Sequence, residues 1–569
     1  MFMSVNNNPF LQLMTPLNET FTLTEFSGAE AISQLFGYYA TAYSENTAIT
    51  ADQLLLKTAT VQINTASNAY YFNGIISRFR AGAITNGLRR YSIEISPSLW
   101  QLGFSSDCRI FQNKKITDIV QTLCSSLNIK MDFSGLTGSY KPRAYCVQYR
   151  ETTLNFIQRI LQEEGIFYFF KQEQNQHTLM LADHATVFKS ASEASIAFRN
   201  DEHYRGHYIN YWDRQYNLYS GEFTHTDYNF ETPDASLLAK QSAKPKLSAA
   251  GQFQLYDYPG HHIDISQGKA LAEQHFEALE ANHQFIEGSS NYPAFRPGIK
   301  FNLINHPSDS ENSDYYLTAV NHSAYDYTQL GSCANGSSNQ SSHYSNLFGC
   351  LPKTVQYRSA KQIPQPIISG HQTATVIGDG QEGQEINVDQ YGRIQVHFHW
   401  DREQKSSCRV RVAQNWAGQN WGSIFHPRIG QEVVVQFENG NPDRPIVVGS
   451  VYNADQMPPY ALTDHLTQSG IKTRTSKNGS PAQANELRFE DKIGQEEIYL
   501  HAQKDHTRVV ENNDTTTINQ GDQIIKVVAG SSTLEAAQAI ELKVGSNQIV
   551  VNTQGIFING QKIKMNKAG

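Results

Sequence analysis

Between Ile540 and Met565 apolar side chains alternate in groups that never run longer than a handful of residues. They are Ile540, Leu542 and Val544, then Ile549 and Val551, then Ile556 and Ile558, then Ile563 and Met565. Gly545, Gly555 and Gly560 separate the groups, with Asn547, Asn552 and Asn559 beside the breaks. Period-two alternation marks a strand with one apolar face, and each group predicts a strand of about four to six residues. Strands that short cannot bury a face alone, so a series of them implies stacking into a solenoid or β-helix. No segment reads as a cap, and little bulk is available for a private core. Several copies wound around one another would bury these faces better than one chain could. The pattern predicts an oligomeric β-helical needle.

The remainder is a different kind of sequence. At 569 residues the chain exceeds one ordinary core, and about two to four domains are expected. Tyr and Phe occur 29 times each, with Gly, Asn and Asp between short apolar runs, as in proteins of many short strands and tight turns. No apolar run is long enough for a helical membrane span. The start, MFMSVNNNPFLQLMTPLNETF, lacks a basic segment and a clean apolar core, so no cleaved leader is expected. Release from the cell would then need a dedicated machine. Net charge is −8 without blocks of like charge, which argues against a general nucleic-acid binder. Cys108, Cys124, Cys146, Cys333, Cys350 and Cys408 form no C-x-x-C pair. They read as free thiols of a protein made in a reducing compartment.

Residues 70–110 alternate in strand fashion. Two stretches then take helical spacing: 115–128, through Ile116, Ile119, Val120, Leu123 and Leu127, and 152–164, through Leu154, Ile157 and Leu161. On the second, Arg159 and Glu163 form an i, i+4 pair expected on the outer face. Gly165 is a plausible stop, and IFYFF after it reads as a buried strand. A third helix is expected over 267–284. The polar stretch 331–346 predicts a long exposed loop, and Pro352, Pro364 and Pro366 punctuate a linker. From Thr373 onward no helix is expected, a short turn near Leu534–Ala539 excepted. The fold class is mainly β, with an α+β front and an all-β rear.

Asp389–Tyr460 contains RIQVHFHW, CRVRVAQ, EVVVQFE and PIVVGSV, with turns at Asp401–Arg402, Gly418–Gln419 and Asn439–Pro442. Short strands packed into so little chain suggest an OB-type barrel. Several fixed spacings lie in this block: Tyr391-Gly392-Arg393, Trp400-Asp401-Arg402, Arg409-Val410-Arg411-Val412, Trp416-Ala417-Gly418, Pro427 to Val433, and Pro442-Asp443-Arg444-Pro445 leading to Gly449 and Tyr452-Asn453. In these it resembles the OB domain of the VgrG family, the spike or tip proteins of type VI secretion systems, and of the central spike of tailed phages. The resemblance extends upstream through 148–170 with His177 and Asp183, LYDYPG at 255–260, FRPG at 295–298 and the run from Pro352 through Gly370 to Val376. Downstream it takes in 469–477 and 485–505.

The resemblance implies a phage-hub-like base over 1–370 with two barrel-like subdomains, an OB neck over 371–460, and an intertwined triple-stranded β-helical needle over 461–569. It further implies a homotrimer whose base docks on a hexameric Hcp tube and contacts baseplate components. A PAAR-repeat protein or effector would sit at the needle tip, and the target membrane would be met mechanically. Such a protein is made in the bacterial cytoplasm, assembled on the secretion baseplate and exported without a signal peptide. A phage or tailocin hub-spike shares the architecture. A cell-wall-lytic spike would need a large α-rich insertion after the barrel, yet only ALTDHLTQ separates Tyr460 from Ser469. The chain reaches Gly569 directly after needle-like strands, so any toxin is expected to be bound non-covalently.

Other motifs have plain readings. Gly378 to Gly383 satisfies G-x-G-x-x-G, but the strand pattern that follows predicts a turn where a dinucleotide site needs a helix. His397 and His399 share a strand face without a third ligand nearby, and the adjacent His261 and His262 would point apart. Glu163-Glu164 reads as a solvated helix end. No H-E-x-x-H or G-x-S-x-G occurs. Arg393, Arg402, Arg409, Arg411, Arg428 and Arg444, with Trp416 and Trp421, could form a nucleic-acid platform. Nearby Asp401, Glu403, Glu432, Glu438 and Asp443 nearly cancel them, which favours inter-subunit ion pairs and packing. No catalytic, cofactor-binding or metal-binding residue is assigned, no enzymatic activity is expected and no cofactor is called.

Overall fold

The computed structural model describes residues 9–17, 20–66, 68–199, 204–243, 250–328 and 341–564. The chain divides into two units, Met1–Leu466 with Thr475–Ser480, and Thr467–Arg474 with Pro481–Gly569.

In the first unit a twelve-stranded sheet rolls into two rings. Leu11–Met14, Thr58–Asn64, Ala69–Thr85, Leu88–Ser96, Gly37–Ser44 and Thr22–Ala31 follow one another in antiparallel ladders. Leu11–Met14 comes back against Thr22–Ala31. The second ring runs from Asp314–Asp326 through Ile299–Ile304, Lys189–Phe198, Tyr208–Tyr216, Gln284–Ser290 and Ser342–Pro352, and closes on Asp314–Asp326 by a ladder from Tyr315↔Pro352 to Asp326↔Ser342. The strand Asp314–Asp326 serves both rings. One edge carries Ser342–Pro352; the other is divided between Ile299–Ile304, at Asp314 to Tyr316, and Thr22–Ala31, at Ala319 to Tyr325. The exposed loop expected over 331–346 therefore ends in a closing strand from Ser342. The ladder uses backbone groups, so polar side chains do not prevent it. The part of that stretch up to 340, with Cys333, lies outside the described residues.

The expected helices form at Ile116–Ser125, Thr153–Glu163 and Ile265–Ala281. Thr152 caps the second, its side chain accepting from the Asn155 amide, and Gly165 ends it with φ +68°, a conformation that favours glycine. The first two helices fill one side of the first barrel. Ile119, Val120, Phe156 and Ile160 join Phe26, Tyr38, Phe72 and Tyr91 in its core. Phe301, Leu317, Val320 and Phe348 centre the second. Each such side chain contributes about 1.5–3 kcal/mol on burial. The third helix packs on a small sheet of Ala239–Ser242, Glu222–His225 and Gln254–Asp257 through Phe276, Phe223 and Ala239.

The neck is a five-stranded sheet in the order Gln395–Phe398, Gln372–Ile377, Glu432–Phe437, Pro445–Val451, Arg411–Val412. A bridge Ile394↔Val410 joins its two ends, and the last pair is parallel. Its core holds Ala374, Val396, Phe398, Val433, Val435 and Val447. After Ile377 the chain turns through Gly378–Gly383 without starting a helix.

The second unit contains two three-stranded antiparallel sheets: Gln468–Lys472, Glu486–Glu490 and Glu497–His501, then Ala539–Val544, Asn547–Asn552 and Gly555–Asn559. The alternating groups pair as their spacing predicts, Leu542 opposite Ile549 and Ile549 opposite Ile558. Ile563 lies beyond the last strand, and Met565 is outside the described residues. The turn expected near Leu534–Ala539 is not helical; a strand begins there at Ala539.

Candidate assembly interface

The second unit has almost no interior. Among its described residues Ala484 is the single buried apolar side chain. Val509, Ile524 and Val528 are 77%, 83% and 88% exposed, and Leu542 and Ile556 are 61% and 71% exposed. From Ala502 to Gln538 no strand forms and no backbone-to-backbone hydrogen bond closes within the chain. Peptide N–H and C=O groups require partners when apolar side chains around them leave water, and a continuous exposed apolar surface marks an interaction site. Ladder groups and apolar faces are thus both left open over one segment.

In the first unit the charged side chains at the neck find partners inside the chain. At the neck, Arg444 makes a two-pronged pair with Asp227 (2.9 and 2.6 Å). Arg393 reaches Glu231 at 3.3 Å, and Arg393 and Arg411 lie 5.2 and 4.8 Å from the Phe230 ring. Arg402 pairs with Asp107 (2.6 Å), Arg428 with Glu385 (3.5 Å), and Arg409 donates to Asn387. The neck arginines expected to pair between subunits have partners within the chain: Arg393, Arg402, Arg411 and Arg444 reach hub residues, whereas Arg409 and Arg428 stay within the neck. Sequence reasoning missed their partner loop, Asp227 to Glu231, because no local pattern links it to a barrel more than a hundred residues away.

A buried ionic cluster lies beneath. Arg159, expected on the outer face, is 2% exposed; it pairs with Glu151 at 2.6 Å and Glu163 at 2.8 Å. Arg143 bridges Glu163 (2.6 Å) and Glu164 (2.8 Å). The solvated helix end expected at Glu163-Glu164 is instead the centre of this cluster. Burial works against the Glu163 charge, but Arg143 and Arg159 outweigh it and hold the carboxyl down at about 2. Asp443 of the neck accepts from the Val147 amide at 2.7 Å; burial, then the nearby Glu163 charge, pushes its carboxyl up to about 7.

A second network ties the two rings together. Glu30 accepts from Tyr38 Oη at 2.8 Å, Arg296 reaches it at 3.3 Å, and His322 Nε2 lies 3.3 Å away. His322 Nδ1 is 2.7 Å from Tyr344 Oη. Burial opposes the Glu30 charge, and Arg296 and His322 more than offset it. His177 takes the Ser98 amide on Nε2 and faces Asn73 through Nδ1, and burial holds its pKa down at about 4. Asp183 accepts from the Thr137 and Gly138 amides and the Tyr140 hydroxyl. Both brace the hub.

The remaining candidates are dispersed. His397 Nε2 lies 3.2 Å from the Asp401 carbonyl and His399 Nε2 3.2 Å from Thr373 Oγ1. His262 Nε2 meets the Leu237 carbonyl, and His261 lies by Asn441. Among the described residues no group of three or more His, Cys, Asp or Glu is placed to hold a metal ion. Trp416 and Trp421 stand on an exposed two-strand hairpin.

Comparison with known proteins follows the same order along the chain. Residues 29–328 match the phage tail baseplate hub family, 384–452 the type VI secretion and phage-baseplate injector OB domain, and 469–563 the C-terminal trimerisation domain of bacteriophage T4 gp5. Hub, OB barrel and trimerisation segment in that sequence define a spike of the phage-baseplate type. The chain is 34% identical to the type VI secretion system spike protein VgrG1a of Pseudomonas aeruginosa, over 98% of this chain and 92% of that protein. It is 36% identical to VgrG1b of the same organism, over 87% and 67%. An actin cross-linking toxin, VgrG1 of Vibrio cholerae, is 32% identical over 95% of this chain and 50% of its own length. The chain belongs to the VgrG family of type VI secretion spike proteins. In fold it is similar to an Escherichia coli type VI secretion component described as resembling T4 gp27 and gp5, with TM-score 0.56, 19% identity, and coverage of 78% of this chain and 99% of that one. A chain of the Francisella PdpA–VgrG complex gives TM-score 0.55 at 8% identity, covering 98% of this chain and 89% of that one.

Proposed function

We propose that three copies of this chain assemble into a rigid tip that a contracting secretion machine drives through a target envelope. The observation that carries this reading is the second unit, whose open backbone from Ala502 to Gln538 and bare apolar faces two further copies would satisfy. A needle of interwound strands is stiff, because every backbone group lies in a ladder. The boundaries we assign are a base over 1–370, a neck over 371–460 and a needle over 461–569. Two rings per chain give six in a trimer, a number that suits docking on a hexameric Hcp tube, with baseplate components alongside. The needle tip is the place for a PAAR-repeat protein or an effector, as the complex of a Francisella VgrG with PdpA encourages. Force comes from the sheath, so the chain acts mechanically and not as an enzyme, and it leaves the bacterial cytoplasm through the machine itself.

Light scattering on the full-length protein tests the reading: a particle of three 64.0 kDa chains is expected, and a stable monomer refutes it. In cells, deletion of the chain from Thr467 onward should abolish release of the tube protein. Release at the unaltered level would show that the needle is dispensable.

A further inference from the structure

The neck carries an aromatic patch that its own barrel does not use. Trp416, Trp421, Ile424 and Phe425 are 65%, 57%, 68% and 53% exposed, and none belongs to the barrel core. The patch is nevertheless firmly built. Ala417–Gly418 pairs with Trp421–Gly422 across a tight turn, with Asn420 at φ +62°. The two indoles meet edge to face at 5.0 Å. A Cβ on Gly418 would fall 2.3 Å from the Trp421 ring, and one on Gly422, at φ +131°, would fall 2.5 Å from the Trp416 carbonyl. The glycines are what let the rings close together. Ser423 donates to that same carbonyl, and the Gln414 side chain clamps Phe425 by accepting from its amide (2.9 Å) and donating to its carbonyl (3.2 Å). Rigid, exposed tryptophans with little freedom left to lose are the usual anchors of protein interfaces.

We infer that this hairpin is a contact between neck barrels of neighbouring copies. The inference rests on the trimeric reading above. Only Tyr452–Thr467 separates the last barrel strand from the first strand of the trimerisation segment, so assembly there tethers three barrels at high effective concentration. In a threefold ring each barrel presents the patch to one neighbour and receives one from the other, a head-to-tail contact that closes on itself. The exposed side chains of the patch are apolar, so apolar contact is what it has to offer.

Sizing and footprinting the full-length protein separate the two claims. A mass other than three chains overturns the trimeric reading by itself. Hydroxyl-radical footprinting of a confirmed trimer, read by mass spectrometry, should find Trp416 and Trp421 oxidised several-fold more slowly than free tryptophan in the same tube. Oxidation of both at the free rate overturns the inference with the trimer intact, as does protection that develops only after an effector or tube protein is added. The double variant Trp416→Ser with Trp421→Ser should raise the dissociated fraction several-fold at a fixed urea concentration, and an unchanged dissociation curve also refutes the contact. Should that variant fail to fold, footprinting of the unaltered chain still decides.

Discussion

Hub and needle use the same strand chemistry with opposite results. In the hub, Asp314–Asp326 pairs along both edges, the rings close, and charges such as Glu30 and Arg159 meet partners inside the chain. In the needle, strands of similar alternation expose their apolar faces, and one long segment has no ladder at all. The difference lies in closure. A ring of six strands encloses a volume that its own side chains fill, whereas a three-stranded sheet of five- or six-residue strands encloses nothing. Information for folding is thus concentrated in the first unit and information for assembly in the second.

That contrast breaks most sharply if the chain is ended after Leu466: the hub should remain a cooperatively melting monomer by light scattering and calorimetry, while a truncated trimer would move the assembly information elsewhere. Next in size is Ile524→Asp. In one chain this residue is 83% exposed and the change should be harmless. Three copies of the carboxylate in a needle interior should each cost several kcal/mol, seen as dissociation at low protein concentration, and a trimer as tight as before would mean that Ile524 faces water. Within the hub, Arg159→Ala leaves Glu151 buried without its cation, while Glu163 keeps Arg143, and should lower unfolding free energy by about 3–5 kcal/mol, read by urea denaturation, with oligomeric mass unchanged.

The smallest effects concern pH. Asp443 titrates at about 7 in the folded chain, above the ordinary carboxylate value, so the folded state holds a proton that the unfolded state has lost. Its contribution to stability is full below about pH 4 and falls away as pH rises towards 7. Asp443→Asn can still accept from the Val147 amide and should flatten that decline, stabilising the hub at pH 8 relative to the unaltered chain. His177 acts in the opposite sense. Its pKa is depressed to about 4, so stability is full above about pH 6.5 and is lost as pH falls towards 4. His177→Gln should shrink the acid-side loss in melting temperature, and an unaltered acid limb would place the sensitivity elsewhere.

Periodicity disclosed the elements it governs. The helices at Ile116–Ser125 and Thr153–Glu163 and the strands around Leu542, Ile549 and Ile558 were legible because each carries one regular apolar face. Arg159 and Glu163 were misplaced because spacing registers hydrophobicity alone. What draws them inward is Glu151 at the end of the preceding strand and Arg143 at its start. Ser342 to Asn346 looked like loop because its polar side chains say nothing of the backbone ladder that Asp314–Asp326 offers.

The sequence by itself determined the mainly β composition, the family, the turn at Gly378–Gly383 and the need of the final strands for company, since each follows from local spacing or from motifs at fixed intervals. Only the tertiary structure decided which strand both rings share, that the neck arginines turn inward to Asp107, Asp227 and Glu231, and that Trp416 and Trp421 are held together on an uncovered surface. The first two depend on residues brought together from more than a hundred positions apart, which leave no period in the chain, and the last on what the rest of the fold leaves uncovered.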